Sequence, residues 1–140
     1  MLQASKEYKI SQQHQFVRIE ARVHYFDKWQ GELLVLEADG QPVWTGAHHY
    51  CPSKCILESW LRLAQADHCR SLHTEIFASY SCHGVSVCGD DAVSDLLSRH
   101  VEVLIPHTTE SIKLTFRSTL GKREIYEATW GIDDVMISVL

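Results

Sequence analysis

Between Phe16 and Phe26 the chain alternates without a break. Val17, Ile19, Ala21, Val23 and Tyr25 fall on one side, and Arg18, Glu20, Arg22 and His24 on the other. Successive side chains of a strand point to opposite faces, so this pattern predicts one long β-strand with a buried face and a wet face. The buried face needs a second layer to cover it, and the rest of the chain supplies strands to build one.

Glu32 to Leu36 is apolar on both faces, and Asp39-Gly40 then leads into Gln41-Pro42-Val43-Trp44, which reads as strand, tight turn and strand. Residues 99–106 alternate through Val101, Val103 and Ile105. Residues 111–117 alternate through Ile112, Leu114 and Phe116 against Lys113, Thr115 and Arg117. The tail places Val135, Ile137 and Val139 on one face after a Trp130-Gly131 corner, and residues 6–10 read as an N-terminal strand. The middle differs. From Ser53 to Ala66 the spacing of Ile56, Trp60, Leu63 and Ala64 is helical, with Ser53 as N-cap, and 74–80 reads as a further strand. The expected fold is therefore all-β: one domain over residues 1–140, an antiparallel β-sandwich with an insertion at about 46–98 that carries one short helix.

Composition excludes several classes. At 140 residues the chain matches one domain of about 150 residues and can bury a single core. Thirteen Lys and Arg stand against 18 Asp and Glu, a net charge of −5, which gives no electrostatic grip on a phosphate backbone. Nucleic acid is not an expected partner. Apolar runs such as Leu33–Leu36 are far below the roughly 20 residues of a spanning helix, so membrane insertion is not expected either. The first residues lack the basic-then-apolar run of a signal peptide.

Three stretches occur in a particular order. They are Tyr25-Phe26-Asp27-Lys28-Trp29-Gln30-Gly31-Glu32 leading to Asp39-Gly40-Gln41-Pro42-Val43-Trp44; then His107-Thr108-Thr109-Glu110-Ser111 leading to Thr115-Phe116-Arg117-Ser118-Thr119-Leu120; and then Thr129-Trp130-Gly131-Ile132-Asp133-Asp134-Val135. Together they resemble the galactose-binding-like jelly-roll modules of ciliate and other protist surface proteins. The pattern there runs Asp-x-Trp-Asp-Gly-Glu, a Trp after a hairpin, His-Thr, then Glu-Ser-Trp-Gly-Ile. Gln30 replaces the Asp before Gly, Ala128-Thr129 replaces Glu-Ser, and Cys88-Gly89 matches the Cys-Gly such modules often carry. The resemblance implies a jelly roll and a non-catalytic extracellular binding or adhesion unit with oxidised cysteines.

Calcium takes several hard oxygens converging from separate loops, and Asp27, Glu32, Asp39, Asp133 and Asp134 are the acids nearest these corners. Turn acids also cap turns or face water, which is their commoner use. All five cysteines, Cys51, Cys55, Cys69, Cys82 and Cys88, lie in the middle region; two disulfides would leave one thiol over, and sequence does not choose the pairs. With His48, His49, His73 and His83 the same cysteines offer zinc soft ligands, although without the tight Cys-x2-Cys pairs of zinc knots. No cysteine carries a signature of an activated nucleophile, so no enzyme activity is expected. Trp29, Trp44 and Trp130 are expected in the core, and Trp60 is the ring to stack on a sugar.

The expected function is an extracellular recognition or adhesion module that binds a glycan or a protein, with structural calcium. The alternatives are a subunit of a surface or ciliary filament, self-assembling through edge strands and the odd cysteine, and a cytosolic zinc-stabilised scaffold.

Overall fold

The computed structural model describes residues 2–50, 86–90, 93, 95–122 and 124–140. Among the described residues seven strands form two antiparallel sheets: β1 (Gln3–Lys9), β2 (Phe16–Asp27), β3 (Gln30–Ala38), β4 (Gln41–His49), β5 (Leu96–Pro106), β6 (Ser111–Ser118) and β7 (Ala128–Val139). A single turn of 3-10 helix, Glu124–Tyr126, precedes β7, and no α-helix occurs among the described residues. One sheet has the order β1-β6-β3-β4 and the other β5-β2-β7. The architecture is the expected all-β, two-sheet arrangement.

The alternation of the long strand fixes the core. Val17, Ile19, Ala21, Val23 and Tyr25 are all buried on β2, where they meet Leu34, Leu36 and Ala38 of β3 and Ile112, Leu114 and Phe116 of β6. Each large apolar side chain withdrawn from water contributes about 1.5–3 kcal/mol, which makes β2, central in its sheet, the main strut of the fold. The two-sided apolar character of β3 is also realised: Leu34 and Leu36 face the core, while Val35, opposite Arg117 and Thr45, is buried too.

The β3–β4 hairpin turns on Asp39 (φ 50°) and Gly40 (φ 82°), and positive φ at both central residues is the turn whose twist suits a two-residue hairpin. Three boundaries differ from expectation. Trp130 and Gly131 are not a corner; they pair with Tyr25 and His24 inside β7, which begins at Ala128. β4 runs on to His49 and β5 starts at Leu96, so both strands reach into the span of about 46–98 expected for the insertion. The N-terminal strand lies at Gln3–Lys9 instead of 6–10. The helix expected at 53–66 and the strand at 74–80 lie outside the described residues.

Two bulges shape the outer face of the smaller sheet. Against β7 the register of β2 slips between Glu20 and Arg22, where Asp134 takes φ 49°; against β5 it slips between Val23 and Tyr25, where Ser98 takes φ 56°. Extra residues at such points re-aim side chains and deepen the twist.

Candidate functional site

The 50–95 connection leaves and re-enters at one end of the sandwich, beside the β2–β3 corner. That corner is tight because β2 and β3 belong to different sheets and only Lys28 and Trp29 join them. Trp29 is fully buried, meets Tyr25 edge-on at 4.9 Å between centroids, and donates from Nε1 to the Thr129 carbonyl at 2.8 Å. Asp27 takes φ 65°, a left-handed conformation that Asp tolerates better than most residues.

Asp95 organises the corner. It is buried, and its carboxylate accepts three backbone N–H groups: Asp27 on Oδ1 at 2.9 Å, and Val87 and Cys88 on Oδ2 at 2.8 and 3.3 Å. Asp27 returns the interaction, its Oδ1 accepting the Asp90 N–H at 2.7 Å, while Lys28 Nζ lies 3.4 Å from Asp90 Oδ2. Gly89, with φ 81°, packs its Cα against the Asp27 carboxylate so closely that a Cβ would overlap both oxygens. Charge-assisted bonds of this kind are among the stronger ones in proteins, so residues 86–90 are held to β2 and β5 from two sides.

His48 lies on the inner side of the same end, buried, with its ring 5.3 Å from that of Tyr25. Burial first, then the neighbouring His49 and Arg99, push its imidazole down to about 4, with Asp95 pulling the other way. His48 is therefore a neutral ring at pH 7. Arg99 donates from Nη1 to the Ala47 carbonyl at 3.0 Å and sits 5.7 Å from the Trp44 ring, tying β5 to β4 across the two sheets. Chemically this end is a scaffold: acids hold backbone, and the histidine is uncharged.

The five acids expected to share a calcium ion lie in three places. Asp27 and Glu32 are at the connection end, where Glu32 Oε2 accepts the Gln30 N–H at 2.7 Å. Asp39 is at the opposite end, with Oδ1 accepting the Lys113 N–H at 2.8 Å and Oδ2 3.4 Å from His107 Nε2. Asp133 and Asp134 lie at the β7 bulge, paired with His24 at 3.2 Å and Arg22 at 3.5 Å. The structure does not bring the five together: Asp27 and Asp39 accept backbone N–H groups from distant segments, and Asp133 and Asp134 pair with side chains of β2. Trp60, Cys51, Cys55, Cys69 and Cys82 lie outside the described residues, while Cys88 is an exposed free thiol. Trp29 is in the core as expected; Trp44 and Trp130 are partly buried against it.

Two features went unforeseen. Asp95 has no periodic signal; its only sign in sequence is an acid set directly before the apolar pair Leu96-Leu97. The other is Glu20, His100 and Glu102 on the outer face of β2 and β5, where one ligand atom from each lies within 4.8 Å of the others, a set chemically able to hold a divalent ion. Alternation already pointed Glu20 outward, and the strand register supplies the rest by setting Glu20 directly opposite Glu102. Arg18 lies 3.5 Å from Glu102 and supplies charge balance there.

Comparison with protein-family models, with curated proteins and with solved structures finds no match to this chain.

Proposed function

We propose that this protein is a non-catalytic extracellular recognition or adhesion module of the galactose-binding-like jelly-roll kind, taking a glycan or protein ligand at the end of the sandwich from which residues 50–95 depart. One observation carries the reading: the Asp27 and Asp95 carboxylates spend their oxygens on the backbone of 86–90 and of the β2–β3 corner. Acids used this way make a rigid rim at this end of the sandwich, and a rigid rim is what a binding site is built on. The two-sheet architecture and the ordered motifs around Trp29, Trp44 and Trp130 support the same reading.

The test is a glycan array probed with the full chain in calcium and again in EDTA, with Trp60→Ala beside the wild type. Wild-type binding that Trp60→Ala reduces at least tenfold, at an unchanged unfolding temperature, is the expected result. No binding in either buffer removes the glycan version, and a signal indifferent to EDTA removes calcium from it.

A second reading, a self-assembling structural subunit, is favoured by β1. Among the described residues it has one strand neighbour, β6, and it is exposed along its length except at Tyr8, so its outer edge offers backbone groups to a further strand. Size-exclusion chromatography with and without reductant separates the two: a monomer in both conditions rules out assembly through disulfides.

A further inference from the structure

The outer face of β2 and β5 gathers three metal-ligating side chains. Glu20 and Glu102 are direct partners in the antiparallel register, and His100, two residues before Glu102, stands on the same face. One ligand atom from each lies within 4.8 Å of the others. An ion has free access, since the side chains of His100 and Glu102 are 58% and 52% exposed.

The spacing inside the set is not that of ordinary pairing. His100 Nε2 lies 3.6 Å from Glu102 Oε2, beyond the about 2.7–3.2 Å of a good N–H···O bond. Two donors that share a tetrahedral zinc ion, each at about 2.0–2.2 Å from it, stand roughly 3.4 Å apart. The imidazole and the carboxylate are therefore placed for a common ion better than for each other. All three side chains stand on paired strands, so only their outer torsions have to adjust to close the shell.

Charge argues the same way. Like charges directly opposite on a sheet repel, and the cations nearby are largely engaged elsewhere. Arg22, which the register sets opposite His100, has its Nε 3.5 Å from Asp134 Oδ2, because the β7 bulge brings that acid alongside. Arg18 Nε lies 3.5 Å from Glu102 Oε1 and leaves Oε2 to face His100. Among the described residues no hydrogen bond or ion pair engages the Glu20 carboxylate. One guanidinium against two carboxylates leaves a negative charge uncompensated.

We propose that Glu20, His100 and Glu102 bind one divalent cation of the borderline, zinc class, and that this ion pins β5 to β2. The imidazole selects the class. Calcium and magnesium favour larger shells built of oxygen, whereas zinc accepts nitrogen beside carboxylate oxygen in a shell of four. Three protein ligands on an exposed face leave the fourth position to water or to a donor from another molecule. The site shares no residue with the middle-region cysteines and histidines or with the acids expected to hold calcium, and it does not depend on what the connection end binds.

The test uses the full chain, stripped with EDTA, dialysed, and titrated calorimetrically with zinc chloride and with calcium chloride. Wild type is run beside Glu20→Gln and His100→Gln, each referred to its own unfolding temperature in EDTA. In the expected result wild type takes up one zinc ion that either variant binds roughly tenfold more weakly or not at all. Zinc then raises the unfolding temperature of wild type more than that of the variants. The effect of Glu20→Gln changes sign with the metal: at least as stable as wild type in EDTA, less stable in zinc. Zinc held elsewhere in the chain gives three matching isotherms, and that outcome overturns the inference, as does a wild type that takes up no zinc. A preference for calcium over zinc at this set overturns it too. If one variant does not fold in EDTA, the other decides.

Discussion

The two ends of the sandwich use the same residue types to opposite effect. At the connection end a buried carboxylate, Asp95, is satisfied by three backbone N–H groups, and the buried imidazole of His48 is held neutral. At the other end the carboxylate of Asp39 accepts the Lys113 N–H and lies beside His107, whose ring bonds that of His14 from 93 residues away. The first end spends its buried acid on backbone donors, whereas the second joins two distant corners through one side chain on another. Burial alone therefore does not set what a histidine does: His14 and His48 are buried alike, yet the first bonds a second imidazole and the second lies against the Tyr25 ring.

This contrast can be broken most severely at Asp95. Asp95→Ala leaves three backbone donors without their acceptor, and we expect a loss of about 4 kcal/mol in denaturant unfolding, with hydrogen-exchange protection falling at Asp27 and in 86–90 while the His14 corner keeps its own. Equal loss of protection at both ends would show that the ends do not act separately. The next effect is that of acid on His48. The unfolded chain takes a proton there below about pH 6.5, whereas the folded one does so only near 4, so stability drains away as pH falls between those values, by up to about 3 kcal/mol. His48→Gln should flatten that part of the acid limb and leave the alkaline limb alone, as read from unfolding free energies across pH. The smallest effect belongs to neither end. Glu20 faces Glu102 directly across the β2–β5 pair, and Glu20→Gln should raise stability by about 0.3 kcal/mol at low salt, less at high salt. A larger change, or one confined to one end's protection, would tie the sheet's outer face to the contrast.

Much of the frame was legible because its signals are local. Alternation marks β2 and β6 with nearly their true limits, and Asp39-Gly40 marks the hairpin because its turn requires the positive φ those two residues accept. Gly131 misled, since a glycine after a tryptophan reads as a corner, whereas here it continues β7 beside His24. The acids are only half legible for a related reason. Asp27, Asp39 and Asp134 all sit at positive φ, a backbone role that an acid in a turn does not announce in the sequence. Asp95 and the His14–His107 pair carried no local signal, because each acts through partners far along the chain, which only strand pairing brings near.

The strand order also has a bearing on how the chain is made. Of the strand neighbours, only β3 and β4 are consecutive, and β2 lies between β5 and β7, both in the C-terminal half. A ribosome delivering this protein therefore holds out a long, half-apolar strand with two bare edges until Leu96 and then Ala128 onward have emerged. Among the described strands the β3–β4 hairpin is the pairing that can form early in synthesis, and β2, the principal support of the finished fold, is until then its most exposed invitation to misassembly.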